Sequence, residues 1–384
     1  MAQNLFELLS EIEIVFGLWA GVYLVFFAAQ RGPLAAVTYV ENLSYREPLF
    51  VFVILALCST QPILHFAHLI LERISRLLPF QRSVSFYFVT LTLGPALGSL
   101  ITEPAAMTVT ALILLEHFYR HGVSDRFKYA TLGLLFVNIS ICGTLTPYAA
   151  PPILMVARAW NWDLSFMLVH FGWKGMLASI LSTSIVTFRF RNEIQRIKRD
   201  RFDSFREKIP TWLQFLHLCF LAAVIVSAHH PVVFIGIFLF FLGLVSVTSE
   251  YQDFIELRQG LLVAFFLGGL VVLGTPQREW LEPLISNVTS GTLFLGSSFL
   301  TAFVDNAALT YLGSQVKDLS EASRFALVSG SVVGGGLTVI ANAPNPAGFG
   351  ILNSSFGKDG ISPFFLFTHA LFPTLIAGVC FWFL

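Results

Sequence analysis

Apolar residues run along this chain in blocks longer than any soluble core needs, and only short polar clusters separate them. A membrane-spanning helix takes about 20 consecutive apolar residues. Segments 12–30, 49–71, 164–188, 212–228, 232–247 and 363–384 read as single spans, and 260–274 as a shorter one. The stretch 84–119 is too long for one span and is interrupted by Gly94-Pro95 and by Thr102-Glu103-Pro104. The stretch 284–316 is similar, with Asp305-Asn306 at its break. Neither carries a polar loop at its middle, so each predicts a helical hairpin whose tip lies within the membrane. Segments 127–160 and 325–352 predict broken transmembrane helices. The first is cut at Thr144-Leu145-Thr146-Pro147 and Pro151-Pro152, the second at Gly334-Gly335-Gly336 and Asn342-Ala343-Pro344-Asn345-Pro346. The pattern predicts an all-α polytopic membrane protein with nine crossings and two re-entrant hairpins.

The second half repeats the first. Residues 101–108, Ile-Thr-Glu-Pro-Ala-Ala-Met-Thr, fall on residues 303–310, Phe-Val-Asp-Asn-Ala-Ala-Leu-Thr. Glu103 then matches Asp305, and Thr108 matches Thr310. Gly-Thr-Leu-Thr at 143–146 matches Gly-Gly-Leu-Thr at 335–338, and His170 matches His369. Order is kept in both halves: hairpin, broken helix, histidine-bearing helix. This divides the chain into N-terminal scaffold helices (1–83), a first transport repeat (84–188), a basic linker (189–211), further scaffold helices (212–283) and a second transport repeat (284–384). An odd number of crossings separates the hairpins, so the repeats are inverted. Inverted repeats with broken helices mark secondary transporters whose site lies near the midplane.

Composition agrees with the pattern. Charged residues are 12% of the chain and apolar residues 55%, whereas a soluble domain carries about 25% charge. The net charge of zero argues against a nucleic-acid partner. Cys58, Cys142, Cys219 and Cys380 lie in apolar segments without paired spacing and read as buried hydrophobes. Glu7, Glu11 and Glu13 precede the first span, unlike the positive start of a signal peptide. If the Lys- and Arg-rich linker 189–208 is cytoplasmic, loops 72–83 and 120–128 are too, and most of the 23 Lys and Arg residues lie inside. The N-terminus is then inside and the C-terminus outside.

Charge inside a membrane is expensive and marks function. Irregular backbone survives there only when buried in protein or lining a watery cavity, so the four breaks are expected to converge. Glu103 and Asp305 then place a carboxylate at each tip, which favours a cation or proton over an anion. Thr102, Thr108, Thr146, Thr310, Asn138, Asn306, Asn342 and Asn345 can add neutral oxygens suited to a hard cation such as Na⁺, with Glu103, Asp305 and Asn306 as its direct ligands. Desolvation raises a carboxyl pKa and a nearby cation lowers it, so such a group can trade a proton for Na⁺. Asp305 is the first choice for the exchange group, because capping a half-helix is a plain alternative for Glu103. Lys174, mid-span, reads as a counter-charge. His170 precedes it by four residues and is expected on the same helical face. With His369 it forms a pair that could titrate near neutrality. Asn138 either bonds the backbone or faces the ion.

The two acidic tips, the two broken helices and the repeat resemble the ion transporter superfamily. That group includes NhaD-type Na⁺/H⁺ antiporters, arsenite efflux carriers and Na⁺-coupled dicarboxylate carriers. More narrowly, the chain is similar to a bacterial family of Na⁺/H⁺ antiporters, over roughly 84–384. Val304-Asp305-Asn306 is similar to the acidic tip of the NhaD type. The dicarboxylate carriers have Ser-Asn-Thr at both tips, so Thr102-Glu103-Pro104 here argues against a dicarboxylate substrate. Pro104 also stands where an amide is usual, which implies a different geometry at the first cation site. The resemblance implies a bacterial inner-membrane transporter, commonly a homodimer, that moves Na⁺ and H⁺ and needs no cofactor. The alternative is a Na⁺-coupled symporter of a small anion, with Lys174 and half-helix N-termini on the anion. An intramembrane aspartyl protease would need Gly-x-Gly-Asp and Tyr-Asp phrases, which this chain lacks.

Overall fold

The computed structural model describes residues 12–197, 209–251, 255, 257–285, 288–316, 319–357 and 360–384, and among them every regular element is helical. Glu7, Glu11 and linker positions 198–208 lie outside the described residues. Among the described residues, five helices are long and apolar enough to cross a membrane: Ile14–Arg31, Arg82–Ile101, Asp125–Leu145, Leu164–Arg189 and Pro363–Phe383. Thr211–Val226, Pro231–Val247 and Gly260–Gly274 are shorter apolar stretches. Large apolar side chains such as Val232 and Phe240 stay on the surface, as they do in a protein solvated by lipid. The expected single span 49–71 is instead two helices, Arg46–Cys58 and Gln61–Ser75. The hydroxyls of Ser59 and Thr60 turn back onto the carbonyls of Ala56 and Leu57 at 3.0 and 2.7 Å, and Pro62 has no N–H to continue the ladder.

The chain forms two compact units, of which the first comprises Met1–Thr60, Leu216–Val288 and Tyr311–Leu319. Its centre is the helix Leu257–Ile285, which packs on Ile12–Arg31 and on Arg46–Cys58. The backbone of Phe16 reaches within 2.8 Å of where a Cβ of Gly269 would stand, so the glycine permits that contact. Edge-on aromatic pairs, Phe50 with Phe234 and Phe52 with Phe238, tie Arg46–Cys58 to the helix Pro231–Val247. The expected short span 260–274 runs on to Ile285, through Pro276 and Pro283. Pro276 removes the N–H that would bond the Val272 carbonyl. The Tyr39 hydroxyl donates to that carbonyl at 2.6 Å, so the helix continues without an orphaned acceptor.

The second unit comprises Gln61–Phe215, Thr289–Thr310 and Ser320–Leu384. Of its helices long enough to cross a membrane, Arg82–Ile101 and Asp125–Cys142 are the most enclosed. Gly94-Pro95, expected to break the first, does not. Pro95 frees the Leu91 carbonyl, and Asn138 Nδ2 donates to it at 2.7 Å. Gly133 lets the backbone of His369 and Ala370, in the last helix, lie directly on Asp125–Cys142. Ser124, Thr289 and Ser320 cap the helices that follow them, each hydroxyl accepting a backbone N–H. At one end, Ser83 donates to the Ile197 carbonyl at 2.9 Å, and Ser124 bonds the Glu193 carboxylate through N and Oγ at 3.1 and 3.0 Å.

Tyr39→Phe keeps the ring contacts to Tyr23 and Phe27 but strands the Val272 carbonyl. A lost partner for a buried acceptor costs about 1–3 kcal/mol. The expected outcome is a lower thermal midpoint of the purified protein in detergent; an unchanged midpoint would show that the bond does not support the proline-containing helix.

Candidate functional site

The first tip is a tight antiparallel turn. Gly98 lies opposite Ala106 and Gly94 opposite Thr110, so the helices Arg82–Ile101 and Glu103–His117 fold back about Thr102. Thr102 sits at φ 79°, ψ 150°, a region that glycine normally occupies and that costs another residue about 1–3 kcal/mol. Its Oγ1 is buried without a hydrogen-bond partner. Glu103, next in line, is fully buried. Asn342 Nδ2 donates to its Oε2 at 3.0 Å, while Oε1 has no hydrogen-bond partner. A Cβ at Gly143 would overlap the Glu103 carboxylate. Gly143 has φ −61°, which any residue adopts, so the glycine is required for room and not for the turn.

Gly143 begins the first break, where Asp125–Cys142 gives way to a 3-10 turn, Gly143–Leu145, before Pro151–Ala157. Ser99 holds this break shut. Its hydroxyl donates to the Cys142 carbonyl at 2.6 Å and accepts the Leu145 N–H at 3.0 Å, and its carbonyl accepts from Thr146 Oγ1 at 2.7 Å. The second break lies between Glu321–Gly334 and Asn345–Asn353. There Thr338 Oγ1 donates to the Ala302 carbonyl at 2.9 Å. Thr146 and Thr338 are repeat-matched, and each bonds the chain just before a tip.

The second tip is built differently. Asp305 Oδ1 accepts the N–H groups of Ala307 and Ala308 at 2.8 and 3.2 Å, which makes it the N-cap of the helix Asn306–Ser314. Capping, considered for Glu103, therefore falls to Asp305. Asn306 is fully buried. Its backbone N–H donates to the Ala341 carbonyl at 3.1 Å, but neither atom of its side-chain amide has a hydrogen-bond partner. A Cβ at Gly335 would crowd Asn306 Nδ2 and Ser140 Oγ. Asn345 Nδ2 donates to the carbonyls of Gly335 and Thr338 at 2.8 and 2.9 Å, leaving Oδ1 unpartnered. Asn342 Oδ1 is unpartnered as well.

The other expected residues take other places. Asn138 bonds the Leu91 carbonyl and Thr183 Oγ1, and accepts from Ser182 Oγ at 3.3 Å, so it braces three helices. Thr108 and Thr310 bond back to carbonyls of their own helices. Lys174 is buried with its ammonium 4.5 Å from the centre of the Phe325 ring, and Glu103 takes its bond from Asn342 and not from Lys174. His170 precedes Lys174 by four residues across a π-turn, Leu168–Gly172, and is exposed against Phe166, whereas Lys174 is buried. His369 bonds the Phe365 carbonyl at 2.8 Å and lies beside Tyr129. Ser99 and Ser140 were not singled out from the sequence, and Gly143 only as part of the repeated phrase at 143–146. Only the small size of Gly143 and Gly335 at matched breaks signals that a bulky polar group lies against each.

At the two breaks and their adjoining turns, Thr102 Oγ1, Glu103 Oε1, the Asn306 amide, Asn342 Oδ1 and Asn345 Oδ1 are buried and without a hydrogen-bond partner. Each such group costs about 1–3 kcal/mol and calls for a ligand. Oxygens predominate, which suits a hard cation. Glu103 and Asp305 are close enough for their charges to interact, which reinforces the preference for positive charge. Comparison with curated proteins gives no match. The apolar helices and these breaks describe a multi-pass membrane protein, and with residues 1–384 matching the family described as "Putative Na+/H+ antiporter", the chain belongs to that family.

Proposed function

We propose that this protein exchanges Na⁺ for protons, with Glu103 as the exchange carboxyl. The supporting observation is the seat of that side chain. It is fully buried at a tip, one oxygen is held by Asn342 from the other break, and the other is free against Gly143. A carboxyl so placed binds a proton or a cation at Oε1, one at a time, while Asn342 keeps its orientation. Thr102, Asn306, Asn342 and Asn345 supply neutral oxygens around the ion. Mutually exclusive binding is what couples the two fluxes. In this reading the two halves are inverted repeats with tips near the membrane midplane, and the matched Thr146–Ser99 and Thr338–Ala302 bonds support the pairing. The contacts of Ser83 and Ser124 with 193–197 support a shared, cytoplasmic side for the basic loops. The wider likeness to the ion transporter superfamily, and a homodimer, belong to the same reading.

Lys174 enters as the counter-charge that sets the electrical balance of the cycle. Phe325 stabilises its ammonium through the ring face without neutralising it.

Three measurements on protein in sealed vesicles test this reading. Glu103→Gln keeps size and the bond to Asn342, so the protein folds, and Na⁺-driven dissipation of a pre-formed pH gradient falls to background. Wild-type exchange in that variant would remove Glu103 from the mechanism. Gly143→Ala displaces only the end of the Glu103 side chain, so folding survives while apparent Na⁺ affinity falls by about tenfold or more, equivalent to about 1.4 kcal/mol. Unchanged affinity would mean that the carboxylate seat is not the ion site. Lys174→Met retains an apolar contact with Phe325 and alters the dependence of exchange on pH or membrane potential; profiles identical to wild type would make Lys174 a packing residue.

A further inference from the structure

We infer that Asp305 is a positioning residue, and that its carboxylate serves the exchange site by capping the helix that presents Asn306. The inference rests on the antiporter reading above and assigns a different role to the second acid of that site. Asp305 Oδ1 accepts two backbone N–H groups, from Ala307 and Ala308. Those amides are among the orphan donors at a helix start, and this start is buried, with Ala307 and Ala308 fully enclosed. Without the cap they have no water to turn to. Asn306 is the first residue of the same helix. Its backbone N–H is fixed to the Ala341 carbonyl, and its fully buried amide is held beside Gly335 with no partner of its own. The orientation of that amide therefore follows from how the helix starts.

Two features separate this role from proton exchange. Capping needs an acceptor of the right length, and Asn or Ser supplies one as well as Asp. Exchange needs a carboxyl that can change occupant, and on Asp305 only Oδ2 could take one without displacing the two amides that Oδ1 holds. In Glu103 one oxygen is bonded by a side chain and the other, buried, has no hydrogen-bond partner. The repeat thus matches two acids in sequence and gives them unlike jobs.

The test compares Asp305→Asn, Asp305→Ser and Asp305→Ala with wild type and with Glu103→Gln, in proteoliposomes, by Na⁺-driven dissipation of a pre-formed pH gradient scanned over pH and Na⁺. The expected result is that Asp305→Ala loses about five- to tenfold in apparent Na⁺ affinity, the factor a lost cap is worth. Asn and Ser should restore it toward wild type with the wild-type pH profile, whereas Glu103→Gln is inactive throughout. Asp305→Asn or Asp305→Ser that is folded and as inactive as Glu103→Gln, or that shifts the pH profile, overturns the inference and leaves the antiporter reading standing. Failure of Asp305→Asn to fold also overturns it, because asparagine is a competent cap. No Na⁺ response from the wild-type protein overturns the antiporter reading and this inference with it.

Discussion

Everything at the centre of this protein follows from one constraint: backbone and polar groups buried away from water must find partners. The breaks exist because helices stop inside an apolar unit, and they persist because side chains take over the lost bonds. Ser99 alone serves a carbonyl and an N–H of the first break and offers its own carbonyl to Thr146. Asn345 and Thr338 do the corresponding work at the second. Against this pairing at the breaks, Thr102 Oγ1, Glu103 Oε1, the Asn306 amide, Asn342 Oδ1 and Asn345 Oδ1 are left without a hydrogen-bond partner and are the ligands of the proposed site.

Prolines show the same constraint away from the site. Pro95 and Pro276 each free a carbonyl four residues earlier, and each helix continues because a distant side chain donates to it, Asn138 in one unit and Tyr39 in the other. A helix with such a rescue runs on without a break, as Arg82–Ile101 and Leu257–Ile285 do. Asn138 thereby becomes part of the frame that holds the hairpin against Asp125–Cys142.

Close approach is the second device. Glycines at 133, 143 and 335 have neighbours where a Cβ would be. At Gly133 the gain is packing between helices. At Gly143 and Gly335 the gain is space for a carboxylate and an amide, so polar groups enter a region that is otherwise filled. The membrane context raises the cost of each such group, which is why the proposed site is drawn there.

By itself the sequence determined the helical class, the main apolar spans and the interruptions at 143–150 and 335–344, because each is written locally in apolar runs, Gly- and Pro-bearing breaks and misplaced polar residues. It misplaced the break at Gly94-Pro95 and joined Arg46–Cys58 to Gln61–Ser75, because a proline stops a helix only when nothing else satisfies the carbonyl it frees. It did not show the π-turn Leu168–Gly172, which leaves no periodic signal in this stretch. It favoured Asp305 over Glu103 without showing which oxygens are already in use; the tertiary structure adds that Asp305 Oδ1 accepts two backbone amides while Glu103 Oε1 has no hydrogen-bond partner, the observation on which the proposal for Glu103 rests. Whether a carboxylate caps its own helix or stays open to a ligand depends on which amides, glycines and asparagines the fold brings to it from elsewhere in the chain.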